Sequence, residues 1–316
     1  MIVFHDHLDG GIRPKTLLEM AINARYAPIM NLSEKETTVL LDKSSSDSLE
    51  DYLSVFVHTI SVMNSFENLE RIAFEAAEDM HKNGIRYYET RFAPMYSVTE
   101  QLSAIEVINA INSGFKEAQQ KFGIISGIIV CGMRNDPNDV KNVSELCVNI
   151  FKDKIIGFDI AGPELNYPAS LYRNDFLKLK QNGINITIHA GEGAGPKYIQ
   201  DAIDTGAERI GHGVRIVEDI VIKNNNYILG DTSKHILENN ILLEICVSSN
   251  MHTKMYESYA DHPIKLLYDL GFNISVNTDN RLMSNTSMEK EMEIVNKLGI
   301  NSNINDSLTS YSFLKI

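Results

Sequence analysis

Arg86-Tyr-Tyr-Glu-Thr-Arg-Phe-Ala93, Leu102-Ser-Ala-Ile-Glu-Val-Ile-Asn-Ala-Ile-Asn-Ser-Gly-Phe115 and Ile124-Ile-Ser-Gly-Ile-Ile-Val-Cys-Gly-Met133 follow one another along the chain. The first and third stretches are rich in β-branched and aromatic residues, which predicts two strands. Between them Leu102, Ile105, Ile108, Ile111 and Phe115 recur at steps of three or four, one face of a helix over Leu102–Phe122. Ser103 is its expected cap and Gly123 its expected stop.

The same alternation extends outward in both directions. The predicted strands are Ile2–Leu8, Arg86–Ala93, Ile124–Met133, Ile155–Ile160, Asn185–His189, Arg209–His212, Leu242–Val247 and Asn273–Thr278. Ser65–Asn83 forms another helical segment, with Leu69, Ile72, Ala73, Ala76 and Met80 on one face and Gly84 after its end. Near-continuous apolar runs suit strands buried on both faces, as in a parallel sheet. Eightfold alternation over 316 residues points to a (β/α)8 TIM barrel, an α/β fold, with residues 1–316 as a single domain. An open doubly wound sheet is the alternative the pattern allows, and the site residues below favour the barrel.

Between the first two strands lie about 75 residues with helical patterning around Pro14–Met30, Ser33–Leu41, Leu49–Met63 and Ser65–Asn83. One crossover helix needs less, so extra helices are expected to cap the active-site mouth. Ile216–Asn240, with Asn224-Asn225-Asn226, is expected to be an exposed irregular connection. After the last strand only Met288–Gly299 and a short polar tail to Ile316 remain, so either a minimal final helix or an abbreviated chain is expected.

The net charge of −13, from 42 acidic and 29 basic residues, repels phosphate backbones and argues against nucleic acid as partner. It does not disfavour a neutral small molecule. Cys131, Cys147 and Cys246 form no CxxC pair, which fits a reducing, cytoplasmic setting. The opening Met-Ile-Val-Phe-His-Asp-His lacks the basic region of a signal peptide. Gly123–Met133, among the longest apolar stretches, falls far short of the roughly 20 residues needed to span a bilayer.

The histidines carry the chemical signal. His5 and His7 are two apart near the end of the first predicted strand, so both point to one face. His189 and His212 end two further strands, and Asp279 directly follows the last. Metal-capable groups thus gather at the C-terminal strand ends, where barrel active sites are built. A lone strand histidine is usually structural; this constellation is not explained that way. Imidazoles and a carboxylate without thiolate suit zinc, while iron, manganese or cobalt could also bind. Glu192, just beyond His189, can reach into the mouth without joining the metal, as general acid/base work requires.

His5-Asp-His7-Leu-Asp9-Gly-Gly, His189-Ala-Gly-Glu192, Gly211-His212-Gly and Asn277-Thr-Asp279 together resemble the motif set of the adenosine deaminase family, a branch of the metal-dependent amidohydrolases. Asp159-Ile-Ala-Gly162-Pro-Glu164 resembles the family's motif at the fourth strand. The resemblance runs in order from Ile2 to about Met292 and is closest to a bacterial subgroup. It implies hydrolysis of adenosine and 2′-deoxyadenosine to the inosines and ammonia, with one zinc ion held by His5, His7, His189 and Asp279. Glu192 would protonate N1 of the purine, and His212 would orient the zinc-activated hydroxide attacking C6. Asp9 would accept from the ribose 5′-hydroxyl, and the Gly162 N–H would donate to N3. Where better-known members carry a second aspartate, this chain has Asn280, whose amide can donate to N7 without any pKa shift.

Zinc lowers the pKa of water from about 15.7 to about 7, worth roughly 12 kcal/mol at about 1.36 kcal/mol per unit. Proton transfer by Glu192 would add about 10²–10⁴-fold, so metal activation is the larger effect.

Rival readings are a different 6-aminopurine substrate (adenine, a 5′-modified adenosine or an aminodeoxyfutalosine-type compound), another amidohydrolase reaction, or a non-catalytic binding barrel. The strand-4 segment Ile155–Gly162 has no lysine to bridge two metals, which favours a single-metal site. A cytidine-type deaminase would need a cysteine-rich ligand set, which is missing. His58, His81, His235, His252 and His262 are read as structural. Glu89 and Arg91, on one strand face, are read as a structural charge pair, and apolar residues of the 14–80 region as either core or pocket lining.

Overall fold

The computed structural model describes residues 1–46, 48–224 and 226–315. Eight parallel strands form the barrel: β1 (Ile2–Val3), β2 (Tyr87–Phe92), β3 (Ile125–Met133), β4 (Gly157–Ala161), β5 (Thr187–Ala190), β6 (Arg209–His212), β7 (Leu242–Ile245) and β8 (Ile274–Val276). They pair in chain order as two four-stranded halves. A bridge between Phe158 and Ile186 joins β4 to β5, and one between Asp6 and Asp279 closes the end of the barrel to its beginning.

β1 is shorter than the expected Ile2–Leu8 because side chains replace part of its ladder. Asn277 Oδ1 accepts the N–H groups of Phe4 and His5, at 3.0 and 3.2 Å. At the opposite end Asn305 Nδ2 donates to the carbonyls of Ile2 and Val276, and its Oδ1 accepts the Val276 N–H. The polar tail therefore seals the barrel floor, a role its composition did not suggest.

Outward-facing strand residues such as Val130, Phe158, Ile188, Ile210 and Leu243 are fully buried under the surrounding helices. Helix α6 (Ala104–Phe122) begins at Ser103, whose N–H is taken by Glu106 at 2.8 Å, and ends at left-handed Gly123 (φ 76°). Helix α5 (Phe66–Lys82) is capped by the Ser65 hydroxyl and packs against α6 as the first crossover. Before it come α1 (Pro14–Asn23), α2 (Glu34–Leu41), α3 (Leu49–Leu53) and α4 (Phe56–Ile60), extra helices between β1 and β2, of which α3 and α4 line the cavity described below.

Ile216–Asn240 is not irregular. A 3₁₀ turn (Val214–Asp219) leads into an antiparallel hairpin, Ile220–Lys223 with Asn226–Leu229, and then a helix over Asp231–Glu238. Two short β-branched runs around the asparagines were the available signal; Asn225 itself lies outside the described residues. Among the described residues no helix is long and apolar enough to cross a membrane.

The barrel interior below the mouth is ionic. Glu89 and Arg91 do not pair with each other, because neighbours on one strand face point side by side rather than at one another. Arg209 instead bridges Glu89 (2.8 Å) and Glu244 (2.7 Å), and Arg91 bridges Glu244 (2.7 Å) and Asp159 (2.5 Å). All five side chains are at most 1% exposed. Breaking a buried pair strands a charge at a cost of about 3–5 kcal/mol. Arg209→Ala, which strands Glu89 and Glu244 and also leaves the Phe313 ring (3.7 Å away) uncovered, is expected to lose that much in chemical unfolding. A loss below about 1 kcal/mol, the scale of an exposed ion pair, would show that the network contributes no more than surface charge does.

Candidate active site

The C-terminal strand ends bring together the residues singled out by sequence. His7 Nε2 lies 3.2 Å from His189 Nε2, and Asp279 Oδ1 lies 3.7 Å from His5 Nε2 and 3.4 Å from His7 Nε2. Their outer nitrogens are tethered: His5 Nδ1 to Glu244 at 3.0 Å and His189 Nδ1 to Asp159 at 2.7 Å. Arg91 grips both carboxylates, so one guanidinium orients two imidazoles. Asp279 is oriented by the Ser249 hydroxyl, which donates to Oδ2 at 2.6 Å.

Burial, first, and then Arg91 and the neighbouring imidazoles push His5 far below its ordinary pKa. Burial and His189 do the same to His7. Burial raises Asp279, partly offset by the Ser249 hydroxyl. Asp159 stays well below the carboxylate range despite burial, because His189 and Arg91 favour its charge. Three imidazoles, His5, His7 and His189, converge here, one of them (His5) with its Nε2 buried without a hydrogen-bond partner, and they offer the nitrogen donors a divalent cation requires. Carboxylates behind His5 and His189 complete that pattern.

Glu192 and His212 stand beside this cluster, with Glu192 Oε2 3.7 Å from His212 Nε2. Burial, reinforced by Asp279 and Glu164, raises Glu192 well above the ordinary carboxylate value, which favours its acid form. Its backbone is fixed by Glu164, whose carboxylate accepts the N–H groups of Gly191 (2.7 Å), Glu192 (3.1 Å) and Ala194 (3.0 Å). His212 and Asp279 both take left-handed backbone conformations, φ 61° and 55°. Such strain, of order 1–3 kcal/mol each, persists where surrounding contacts over-determine it.

A cavity of about 480 Å³ opens above these groups. Its floor holds His7, Asp9, Glu192, Asp279 and Asn280; Leu49 and Leu53 of α3 and Phe56, Val57 and Ile60 of α4 form its apolar roof. The 14–80 apolar residues thus divide, with Leu17, Met20, Leu69 and Ile72 in the core. Asp9 Oδ1 is buried without a hydrogen-bond partner, and burial lifts this carboxyl to about 7. Asn280 is only 4% exposed and lies close against Gly10, where a Cβ would come within 2.0 Å of its Oδ1. Gly162 lines the wall at φ +96°, a conformation costly for other residues.

Sequence reading assigned no role to Asp159, Glu164, Glu244, Tyr52, Ser249 or Asn250. The first two lie inside a motif it did quote, and Ser249-Asn250 follow the seventh strand, the position that marks a barrel site. Tyr52 carried no signal; its hydroxyl meets Ser284 at 2.7 Å and pins the roof to the β8 loop. Of the histidines read as structural, His81 stacks on Phe122 and His58 contacts Tyr26. His252 lines a wider open groove that holds none of the candidate site residues. His262, however, reaches the site through Asn250.

A sequence profile described as Adenosine deaminase matches residues 2–303. Adenosine deaminase 1 of Streptomyces coelicolor is 40% identical over 304 residues, spanning 92% of this chain and 76% of that protein. Adenosine deaminase of Mycobacterium marinum is 40% identical over 299 residues, spanning 92% and 82%. In structure the chain resembles an adenine deaminase from Arthrobacter aurescens, with TM-score 0.87 and 20% identity over 99% of this chain and 94% of that one. It also resembles the Arabidopsis ADAL protein crystallised with IMP, with TM-score 0.82 and 22% identity over 99% and 92%. At those identities the two structures establish the barrel fold.

Proposed function

This chain belongs to the adenosine deaminase family, and from that premise we propose that it hydrolyses adenosine and 2′-deoxyadenosine to the corresponding inosines and ammonia. The observation that carries the nucleoside reading is Asp9. It is a buried carboxyl with one oxygen lacking a hydrogen-bond partner, in the same cavity as Glu192, and it needs a hydroxyl donor that a nucleoside brings. A 5′-phosphate would meet repulsion there.

The residues fit one zinc ion per chain, held by His5, His7, His189 and Asp279. When bound, the ion supplies Lewis acidity that makes water nucleophilic near neutral pH. The chain's own groups do the rest. Glu192, kept protonated by burial, gives its proton to N1, so that attack at C6 does not leave charge on the ring. His212 faces the point of attack and stabilises the C6 oxygen as charge develops. Glu192, left as a carboxylate, then takes the proton of the C6 hydroxyl and passes it to the departing amine, which leaves as ammonia while the water oxygen remains on C6. Asn280 donates to N7, the Gly162 N–H to N3, and the roof of α3 and α4 excludes bulk water. Three unpaired, buried cysteines suit a reducing compartment, and we place the enzyme in the cytoplasm.

The test is metal analysis together with ammonia release from adenosine, 2′-deoxyadenosine, adenine and AMP. Adenosine is expected to exceed adenine in kcat/KM by about 10²-fold or more, because the base leaves Asp9 unpaired. Equal turnover of adenine and adenosine would remove the sugar contact and favour the free base.

A further inference from the structure

We propose that the buried pair Asn250 and His262 locks His212 as its Nε2–H tautomer, so that His212 donates a hydrogen bond to the reacting oxygen and does not serve as its base. The tautomer follows from the hydrogen bonds alone; only its consequence for catalysis rests on the proposed function.

The direction of each bond is dictated by one group that has a single possible role. The backbone N–H of Ile264 can only donate, and it donates to His262 Nδ1 at 3.2 Å. His262 is 3% exposed, and burial pushes its pKa down to about 3, so the ring is neutral. Its single proton is therefore on Nε2, which faces Asn250 Oδ1 at 3.3 Å. That contact orients the amide of Asn250, a residue with no exposed surface. Asn250 Nδ2 is left facing His212 Nδ1 at 3.1 Å and Met255 Sδ at 3.6 Å. A thioether sulfur has no proton to give, so the amide nitrogen, not the oxygen, belongs on that side. His212 Nδ1 must then accept. The proton of a neutral His212 sits on Nε2, the nitrogen 3.7 Å from Glu192.

This arrangement separates two roles that one imidazole could otherwise mix. With Nε2 protonated, His212 cannot take a proton from the attacking water. Protonation at Nδ1 would set two N–H groups against each other at the Asn250 contact. Proton transfers are left to Glu192, which becomes a carboxylate on giving its proton to N1 and can then take one from the oxygen bound to C6; Asn250 and His262 act as positioning residues.

The test uses zinc-loaded full-length protein labelled with ¹⁵N-histidine and read by long-range ¹H–¹⁵N correlation, with the His212 signals identified by their loss in His212→Gln. The wild type is expected to show a bare Nδ1 and a protonated Nε2 at His212. Asn250→Asp places an acceptor against Nδ1 and is expected to move the proton there. With the hydrogen-bond donor lost, kcat should fall by about 10²–10³-fold while zinc content holds and KM stays within about threefold. His262→Leu frees the amide and should yield mixed tautomers, whereas His262→Gln retains a donor and should restore the Nε2–H form. That pair carries the test if Asn250→Asp does not fold. A protonated Nδ1 in the wild type, or an Asn250→Asp protein keeping both the Nε2–H form and wild-type kcat, overturns the proposal. An Nε2–H signature in a protein that ignores adenosine supports the relay and counts against the proposed substrate instead.

Discussion

Removing His189 or the metal it would hold is expected to abolish turnover. The roughly 12 kcal/mol by which zinc eases deprotonation of water sets a ceiling of about 10⁹-fold on the loss. His189→Ala removes one of three converging imidazoles and also leaves Asp159, 2.7 Å from its Nδ1, without that partner. Metal content per chain should drop with activity, and added zinc should not rescue the variant. Chelated wild type, by contrast, should recover when zinc is returned. Asp159→Asn keeps every ligand but weakens the hold on His189, so metal affinity should fall by about 10–100-fold and excess zinc should restore activity. Full turnover by metal-free wild type would overturn the assignment of the four ligands.

Glu192→Gln should lower kcat by about 10²–10⁴-fold, the range for a lost proton donor. The substitution is nearly isosteric, and the local backbone is held from outside by the three N–H groups bonded to Glu164. Zinc content and folding stability are therefore expected to survive. That separates the variant from His189→Ala, in which metal and activity vanish together. Undiminished kcat in the Glu192→Gln enzyme would show that the proton to N1 comes from elsewhere.

The eight strands were legible because both faces of each are buried, which writes short β-branched runs into the sequence. Errors arose where side chains do the work of backbone. The end of β1 is held by Asn277 rather than by a ladder, and the polar tail proved to be the barrel floor because Ser312 and the Phe313 N–H bind Glu89. The hairpin after β6 escaped notice because Val221, Ile222, Tyr227 and Ile228 remain exposed and so leave no one-sided pattern.

The identities of the groups at the strand ends, and their placement at one rim, were determined by sequence alone. Strand periodicity and barrel closure give any residue ending a strand only one place to be. Tertiary structure decided what those groups experience. That Arg91 ties Glu244 to Asp159, that Glu164 braces Glu192, and that Ile264 sets a proton on His212 through two intervening side chains all depend on contacts between segments distant in the chain. The physical reason is that hydrogen-bond direction and desolvation are properties of a residue's surroundings, and those surroundings exist only once the barrel has closed.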